Sequence, residues 1–338
     1  MFGPEDIIEL KELLKGLSKA VIVTHKNPDG DAIGSSLGLY HFLIKKGIQA
    51  QVITPNEYPD FLRWLPSDDT VIRYNTDTEK AKAIIDDTEA IFILDLNQMA
   101  RMDGLQNPVG ASKATRVLID HHQLPDQIAD IMLSRPGTSS TSEMVYHLIS
   151  ALGEEDLLDK NAAECLYTGI MTDTGSFRFS STTSNTHLAA AALMDLGVEP
   201  SLIFEKVENS NSENRLKLLG YTLSNKMRVF EDQHTCVMEL TEDELAQHEF
   251  KKGDTEGLVN YGLSISGVKM SVLFIQQDGI IKISFRSIGT VPVNMLAKKY
   301  FNGGGHVNAA GGMWPGSLDE AVERFIEVLP ELHEELRK

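Results

Sequence analysis

Three stretches of aliphatic and β-branched residues each end abruptly in a group able to hold a metal ion or a phosphate. Ala20-Val-Ile-Val-Thr runs into His25, Ala90-Ile-Phe-Ile-Leu runs into Asp95, and Val117-Leu-Ile runs into Asp120, His121 and His122. Runs that are continuously apolar, rather than alternating, are what strands buried on both faces of a parallel sheet look like. In open α/β sheets the crevice beyond the carboxyl ends of the strands is where ligands bind. Three such endings in one chain restrict it to a parallel-sheet architecture with a polar site along one sheet edge.

The rest of the chain agrees with that reading. Residues 1–19 have Ile7, Ile8, Leu10, Leu13, Leu14 and Leu17 near helical spacing, and a helix is predicted from Ala32 to about Lys46. Strands are predicted over 49–54, 90–96, 116–121 and 128–133, with helices over 139–152 and 158–171. Strands alternating with helices imply a doubly wound, mainly parallel sheet. Helices over 188–196 and 200–219 read as a connector. Beyond residue 220 the pattern changes to paired strands: 226–230 with 235–240, and 270–275 with 280–285 around Asp278-Gly279, a strong hairpin signal. A last helix is predicted from the cap Ser317, with Glu320 at the capping-box position, to the C-terminus. The expected fold class is therefore α/β, an N-terminal doubly wound sheet over 1–185, a helical connector over 186–220, and a smaller α+β domain over 221–338.

At 338 residues the chain is long enough for two cores, and 42% hydrophobic with 24% charged residues is ordinary for a globular protein. No apolar run approaches the roughly 18 residues of a membrane span, and the first residues lack a basic-then-apolar leader pattern, so a cytoplasmic protein without a membrane partner is expected. Cys165 and Cys236 sit among apolar neighbours and read as buried thiols. The net charge of −18 bears on partners. Phosphate contacts supply most non-specific nucleic-acid affinity, so tracking a long duplex requires a basic surface that this composition lacks. A short phosphorylated substrate needs only local neutralisation.

The segment HKNPDGD supplies His25 at a strand end, then Asp29 and Asp31 around Gly30, which allows the sharp turn that brings both carboxylates to the sheet edge. Taken alone, Asp29 reads equally as an Asx turn and Asp31 as a helix cap. With His25, Asp95, His121 and Asp173 of MTDTGSF they make a set of imidazoles and carboxylates without thiolate. That set suits Mn²⁺, with Mg²⁺ or Co²⁺ as substitutes, and suits Zn²⁺ less. Arg101, six residues after Asp95, is either a substrate contact or a surface residue, and Ser139–Ser142 are either cleft-facing or helix caps. Asn185 and His187 are expected to cap the connector helix, and His41, His147, His234, His248 and His333 belong to no constellation.

HKNPDGD, LDLN, DHH and MTDTGSF follow one another in the order of the DHH superfamily of phosphoesterases, which the chain resembles from about residue 20 to its C-terminal helix. Ser284-Phe-Arg286-Ser and Phe301-Asn-Gly-Gly-Gly-His306-Val-Asn-Ala-Ala-Gly-Gly312 resemble the DHHA1 domain. The resemblance is strongest to the nanoRNase/pAp phosphatase group. It implies a cleft between two domains in which two ions activate a water and phosphoester bonds of short RNA or DNA oligonucleotides, or of pAp, are hydrolysed. It implies that His25, Asp29 and Asp95 hold one ion, and Asp31, Asp95, His121 and Asp173 the other. It further implies that Asp120 orients an imidazole ligand, and that His122 faces the substrate phosphate as clamp or general acid. Arg286, Gly304, Gly305 and His306 would bind substrate, the glycines in a phosphate-cradling loop rather than a flexible linker. Manganese pyrophosphatases carry an Arg-Lys-Lys motif in their second domain, which is not found here, and RecJ-type exonucleases carry further DNA-binding modules. A nucleotide sensor would be expected to have lost ligands. Oligomeric state is left open, a homodimer included.

Overall fold

A computed structural model describes residues 2–209 and 211–337. They form two compact units, Met1–Ser210 and Asn211–Lys338. The first contains α1 (Pro4–Gly16), β1 (Lys19–Val23), α2 (Gly30–Lys45), β2 (Gln49–Thr54), β3 (Ile72–Arg73), α3 (Thr78–Asp86) and β4 (Ala90–Leu94). It continues through α4 (Gln106–Ala111), β5 (Thr115–Asp120), β6 (Ile131–Ser134), α5 (Thr141–Leu152), α6 (Lys160–Asp173), α7 (Ser184–Asp195) and α8 (Pro200–Glu208).

The six strands lie in the order β3-β2-β1-β4-β5-β6, and every pairing is parallel. The chain leaves β1 toward β2 and β3, then returns to place β4 on the other side of β1. The strand order therefore reverses between β1 and β4, which opens a crevice at their carboxyl ends. Alternate strand residues face opposite layers. Ile22, Phe92, Val117 and Ile119 join the core under α2, α5 and α6, while Val21, Val23, Ile91, Ile93 and Leu118 join the core on the other face. Helices α2 and α6 pack unusually close. A Cβ at Gly30, Gly34 or Gly38 would collide with Thr172, with the backbone at Cys165 or with Leu166, so this helix face admits only glycine. The close approach brings the start of α2, with Asp31, beside the end of α6, with Asp173.

The second unit comprises α9 (Glu213–Tyr221), β7 (Met227–Phe230), β8 (Thr235–Leu240), α10 (Glu242–Gln247), β9 (Met270–Gln277) and β10 (Ile280–Ser287). It ends with α11 (Val293–Tyr300), β11 (Gly304–His306), β12 (Ala309–Trp314), α12 (Leu318–Val328) and α13 (His333–Arg337). Its sheet runs β11-β12-β10-β9-β8-β7, with only β8 and β9 parallel. Phe274, Phe285, Phe301 and Phe325 fill one side of it. Asp278 and Gly279 turn the β9–β10 hairpin with φ of 55° and 75°, the twin positive values of a type I′ turn.

Several boundaries differ from expectation. The helix expected over 200–219 is two, because Ser212 accepts a hydrogen bond from Arg215 N and caps a new start. Thus α7 and α8 belong to the first unit and α9 to the second. Thr183 caps α7, in a box with Thr186, so Asn185 and His187 lie inside the helix rather than at its cap. The C-terminal helix is interrupted at Leu329–Leu332, where Pro330 has no N–H to donate. The GGGH segment is an edge strand rather than a loop. Gly305 has φ 143°, and a Cβ there would strike the backbone at Ala309, so glycine allows β11 to lie against β12. Ile8 is exposed, while Leu10 and Leu14 are buried. Both cysteines are free and buried. Among the described residues, no single helix is long and apolar enough to cross a membrane.

Candidate metal centre

The six candidate ligands of the first unit sit just past a strand end or at a helix terminus. His25 follows β1, Asp95 follows β4, and His121 follows β5. Asp29 and Asp31 lie at the start of α2, and Asp173 closes α6. Asp29 does both things its sequence context allowed. Its Oδ1 accepts from the N–H groups of Asp31 and Ala32 as the helix cap, and its Oδ2 lies 3.9 Å from His25 Nε2.

Asp95 is central. Its Oδ2 is 3.3 Å from His25 Nε2, and its Oδ1 is 3.5 Å from His121 Nε2. It sits at φ 59°, a left-handed conformation unfavourable to a non-glycine residue, which the surrounding sheet enforces and which functional positions often show. His121 Nε2 also lies 3.4 Å from Asp173 Oδ2 and 3.9 Å from Asp31 Oδ2. Asp95, Asp120 and His122 form one group of donor atoms within 4.8 Å of one another, and two more lie beside it: His25, Asp29 and Asp95, and then Asp31, His121 and Asp173. Asp95 faces both.

Local hydrogen bonds fix the tautomers. A carbonyl can only accept, so His25 Nδ1 donates to Lys26 O at 2.8 Å and His121 Nδ1 donates to Thr138 O at 3.1 Å. In both rings Nε2 is then the nitrogen turned to the carboxylates, as in metal-ligating histidines whose other nitrogen is held by a neighbour.

The electrostatics of the cluster ask for positive charge. Burial first, then the neighbouring Asp95 and Asp173, push the Asp31 carboxyl well above the usual range. Burial opposes protonation of His121, but Asp173, Asp95 and Asp31 outweigh it and raise the ring to about 9. His25 is raised likewise against its burial, by its hydrogen bond to Asp95 and by Asp29, with Arg101 working in the opposite direction. Asp95 is held below the ordinary carboxylate range despite burial, through its bond to His25 and the charges of His122, His25 and His121. Buried carboxylates that compete for protons are a fitting donor set for hard divalent cations.

Asp120 Oδ1 accepts from His122 Nδ1 at 2.7 Å. This corrects one expectation. The ring that Asp120 orients is His122, whose Nδ1 is 3.6 Å from Asp95 Oδ1, whereas the ligand-type ring of His121 is held by Thr138. With Nδ1 committed, His122 works through Nε2. Arg101 is half-buried. It lies in the 3₁₀ segment Met99–Leu105, and its carbonyl accepts from Lys26 N at 2.7 Å beside His25.

Sequence reading undervalued the turn at 138–143. Thr141 N and Ser142 N donate to the two oxygens of Asp31 at 2.6 and 2.8 Å, and Thr141 Oγ1 donates to Asp95 Oδ1 at 3.1 Å. The amide ends of α5 thus stabilise a buried carboxylate, as helix N-termini do. Ser140 caps that helix, so capping and site-building are one device. The signal was a run of five hydroxyl residues, Thr138 to Ser142, more than any single cap requires.

In the second unit, Arg286 on β10 pairs with Ala309 on β12, which pairs with His306 on β11. Directly opposed residues point to the same face. Arg286, Ala309 and His306 therefore form one row, and Ser284, Gly311 and Gly304 the next row on that face. A shallow floor of small residues lies between two groups able to bind anions. Arg286 Nη1 donates to Phe285 O at 2.9 Å.

The chain matches the DHH family N-terminal domain over residues 19–170 and the DHHA1 domain over 233–335. It is 34% identical to the bifunctional oligoribonuclease and PAP phosphatase NrnA of Thermus thermophilus, an alignment spanning 95% of this chain and 92% of the relative. The chain belongs to the DHH family. The protein of that same description from Bacillus subtilis is 33% identical, over 96% of this chain and 99% of its own. The crystal structure of an exopolyphosphatase-related protein from Bacteroides fragilis superposes with a TM-score of 0.95 at 41% identity, covering 99% of this chain and 98% of that one.

Proposed function

We propose that the protein is a metal-dependent phosphoesterase that hydrolyses short oligoribonucleotides and removes a phosphate from pAp to give AMP. The observation that carries this reading is the pair of donor groups sharing Asp95, at the switch point of a sheet whose relatives bear oligoribonuclease and PAP phosphatase names. Two Mn²⁺ ions, replaceable by Mg²⁺ or Co²⁺, would be held by His25, Asp29 and Asp95 and by Asp31, Asp95, His121 and Asp173. Ions so placed would activate a water and stabilise the attacking and leaving oxygens of an in-line displacement.

The chain's own groups do the rest. His122, oriented by Asp120, turns Nε2 to the substrate phosphate, where it holds a non-bridging oxygen or gives a proton to the leaving one. Arg101 contributes charge beside His25. Arg286 and His306 take a second phosphate over the floor containing Gly304, with Gly305 next to it in β11 giving the strand its close approach to β12, and with the guanidinium fork suited to two oxygens of one phosphate. Residues 1–185 would thus supply the metal centre, 186–220 a connector and 221–338 the substrate grip, in a cytoplasmic protein without membrane attachment. Length selectivity follows from charge: a long strand would lie along a surface of net charge −18, while a short one is neutralised within the site.

The test is a product-length time course with Mn²⁺ on pAp, a labelled dinucleotide, RNA of about twenty nucleotides, pyrophosphate and polyphosphate. Chains of two to about five nucleotides should be cut far faster than the long RNA, given the salt-dependent charge term. Comparable rates on the long RNA would move the reading to a RecJ-type nuclease. Preference for polyphosphate would move it to the activity that the Bacteroides fragilis protein is named for.

A further inference from the structure

Glu143, in the first turn of α5, is buried to 1% exposure with only donors around it. Its Oε2 accepts from Ser139 N at 3.3 Å, from the Ser139 hydroxyl, and from Thr186 Oγ1 on α7 at 2.9 Å. Its Oε1 faces His147 Nε2 at 3.4 Å, and its own N–H donates to Ser140 Oγ at 3.0 Å. A buried carboxylate held by these donors is a fixed post, because Ser139 N, the Ser139 hydroxyl and Thr186 Oγ1 would lose their shared acceptor if it moved.

What the post holds is the turn at 138–142, and that turn touches one half of the metal centre. Thr138 O fixes His121 Nδ1, and Thr141 N and Ser142 N fix Asp31. Thr141 Oγ1 reaches Asp95 through Oδ1, the oxygen facing His121, whereas Oδ2 faces His25. The other half is held differently: His25 by the carbonyl of Lys26, and Asp29 by the amides of its own helix.

We propose that Glu143 is a positioning residue that sets the metal affinity of the Asp31–His121–Asp173 group and leaves the His25–Asp29 group untouched. This rests on the reading of the cluster as a two-metal centre. Glu143 touches no ligand itself and acts through the backbone it anchors, so its removal tilts Asp31 and His121, two ligands that belong to one ion alone, while the second ion keeps its own His25 and Asp29 and serves as an internal control.

The experiment is titration of Mn²⁺ into the chelator-treated full chain by calorimetry, without substrate. Wild type should bind two ions. Glu143→Gln, which keeps the shape but sets an amide against the donors, should weaken one ion by about 10–100-fold, as loss of a supporting partner does at metal sites, and leave the other unchanged. Thr186→Val removes one donor from the post and should give a smaller shift of the same ion, and it serves if the glutamine variant fails to fold. Adding Glu143→Gln to His25→Ala should weaken the remaining ion by the same factor, whereas adding it to His121→Ala should change nothing further. Two ions bound normally by Glu143→Gln, or both weakened alike, would overturn the proposal with the two-metal reading intact. No Mn²⁺ bound by wild type would instead overturn the two-metal reading, and the proposal with it.

Discussion

In the first unit all six strands run parallel and are covered on both faces. In the second, only β8 and β9 are parallel, and β10, β12 and β11 keep one face lined by Gly304, Ala309 and Gly311. The two sheets therefore offer polar groups in different places. A parallel sheet buried on both sides has no room for charge along its strands, so its ligands sit where strands stop. An antiparallel sheet with one open face can carry them mid-strand, where Arg286, Ala309 and His306 line up by register. The first arrangement concentrates carboxylates at one point and suits cations. The second spreads Arg286 and His306 over a flat floor of small residues.

The sharpest way to break that contrast is at Asp95. Asp95→Ala should remove the oxygens facing both donor groups and lower turnover by about 10³-fold, roughly 4 kcal/mol. His25→Ala, confined to one group, should cost less. Metal content measured on the same preparations tests both, and near-normal turnover by the Asp95 variant would exclude a bridging role. Next in size is Arg286→Ala. It should raise the KM for a dinucleotide by about 10–100-fold, the range of a charge-assisted hydrogen bond of about 1.5–3 kcal/mol, with bound metal unchanged. Loss of metal in this variant would erase the division of labour between the sheets.

A smaller effect is expected from pH, with opposite characters in the two units. In the first, a ligating His121 must shed the proton it holds up to about 9, and Asp31 must shed one held above the usual carboxylate range. Apparent Mn²⁺ affinity should therefore climb as pH rises toward 9, which calorimetry at several pH values reads directly. A flat profile would mean that His121 is not a ligand. The smallest effect concerns Glu244 in the second unit. Burial works against its charge, but Thr241 N–H, Tyr221, Lys226 and the Thr241 hydroxyl prevail and bring it from 4.5 to about 2. A depressed carboxyl contributes stability above its unfolded value, and that contribution is lost as pH falls from 4.5 through about 2. Thermal unfolding of Glu244→Gln should lack this part of the acid destabilisation, and a curve parallel to wild type would disprove it.

The first sheet was legible in the sequence because its strands are apolar runs with polar ends, a pattern that needs no partner to be seen. β2 and β8 begin and end where expected, and β1, β4 and β5 deliver His25, Asp95 and His121 to adjacent strand ends. The hairpin at Asp278-Gly279 and the Ser317 cap were equally plain, since each depends on residues within a few positions of one another. GGGH was misread because three glycines look alike whether they free a loop or let two backbones touch. Only the pairing of β11 with β12 distinguishes the cases.

By itself, then, the sequence determined the chain of parallel strands, the imidazoles and carboxylates at their ends and the net charge of −18. These are local patterns or sums over residues. Tertiary structure alone decided which imidazole Asp120 holds, that Gly30, Gly34 and Gly38 let α2 lie on α6 so that Asp31 meets Asp173, and that the 138–143 turn holds half of the donor cluster. Those facts join residues as far apart as Asp31 and Asp173, 142 positions along the chain. Contacts of a few ångströms between distant segments are set by packing, and no spacing along the chain encodes them.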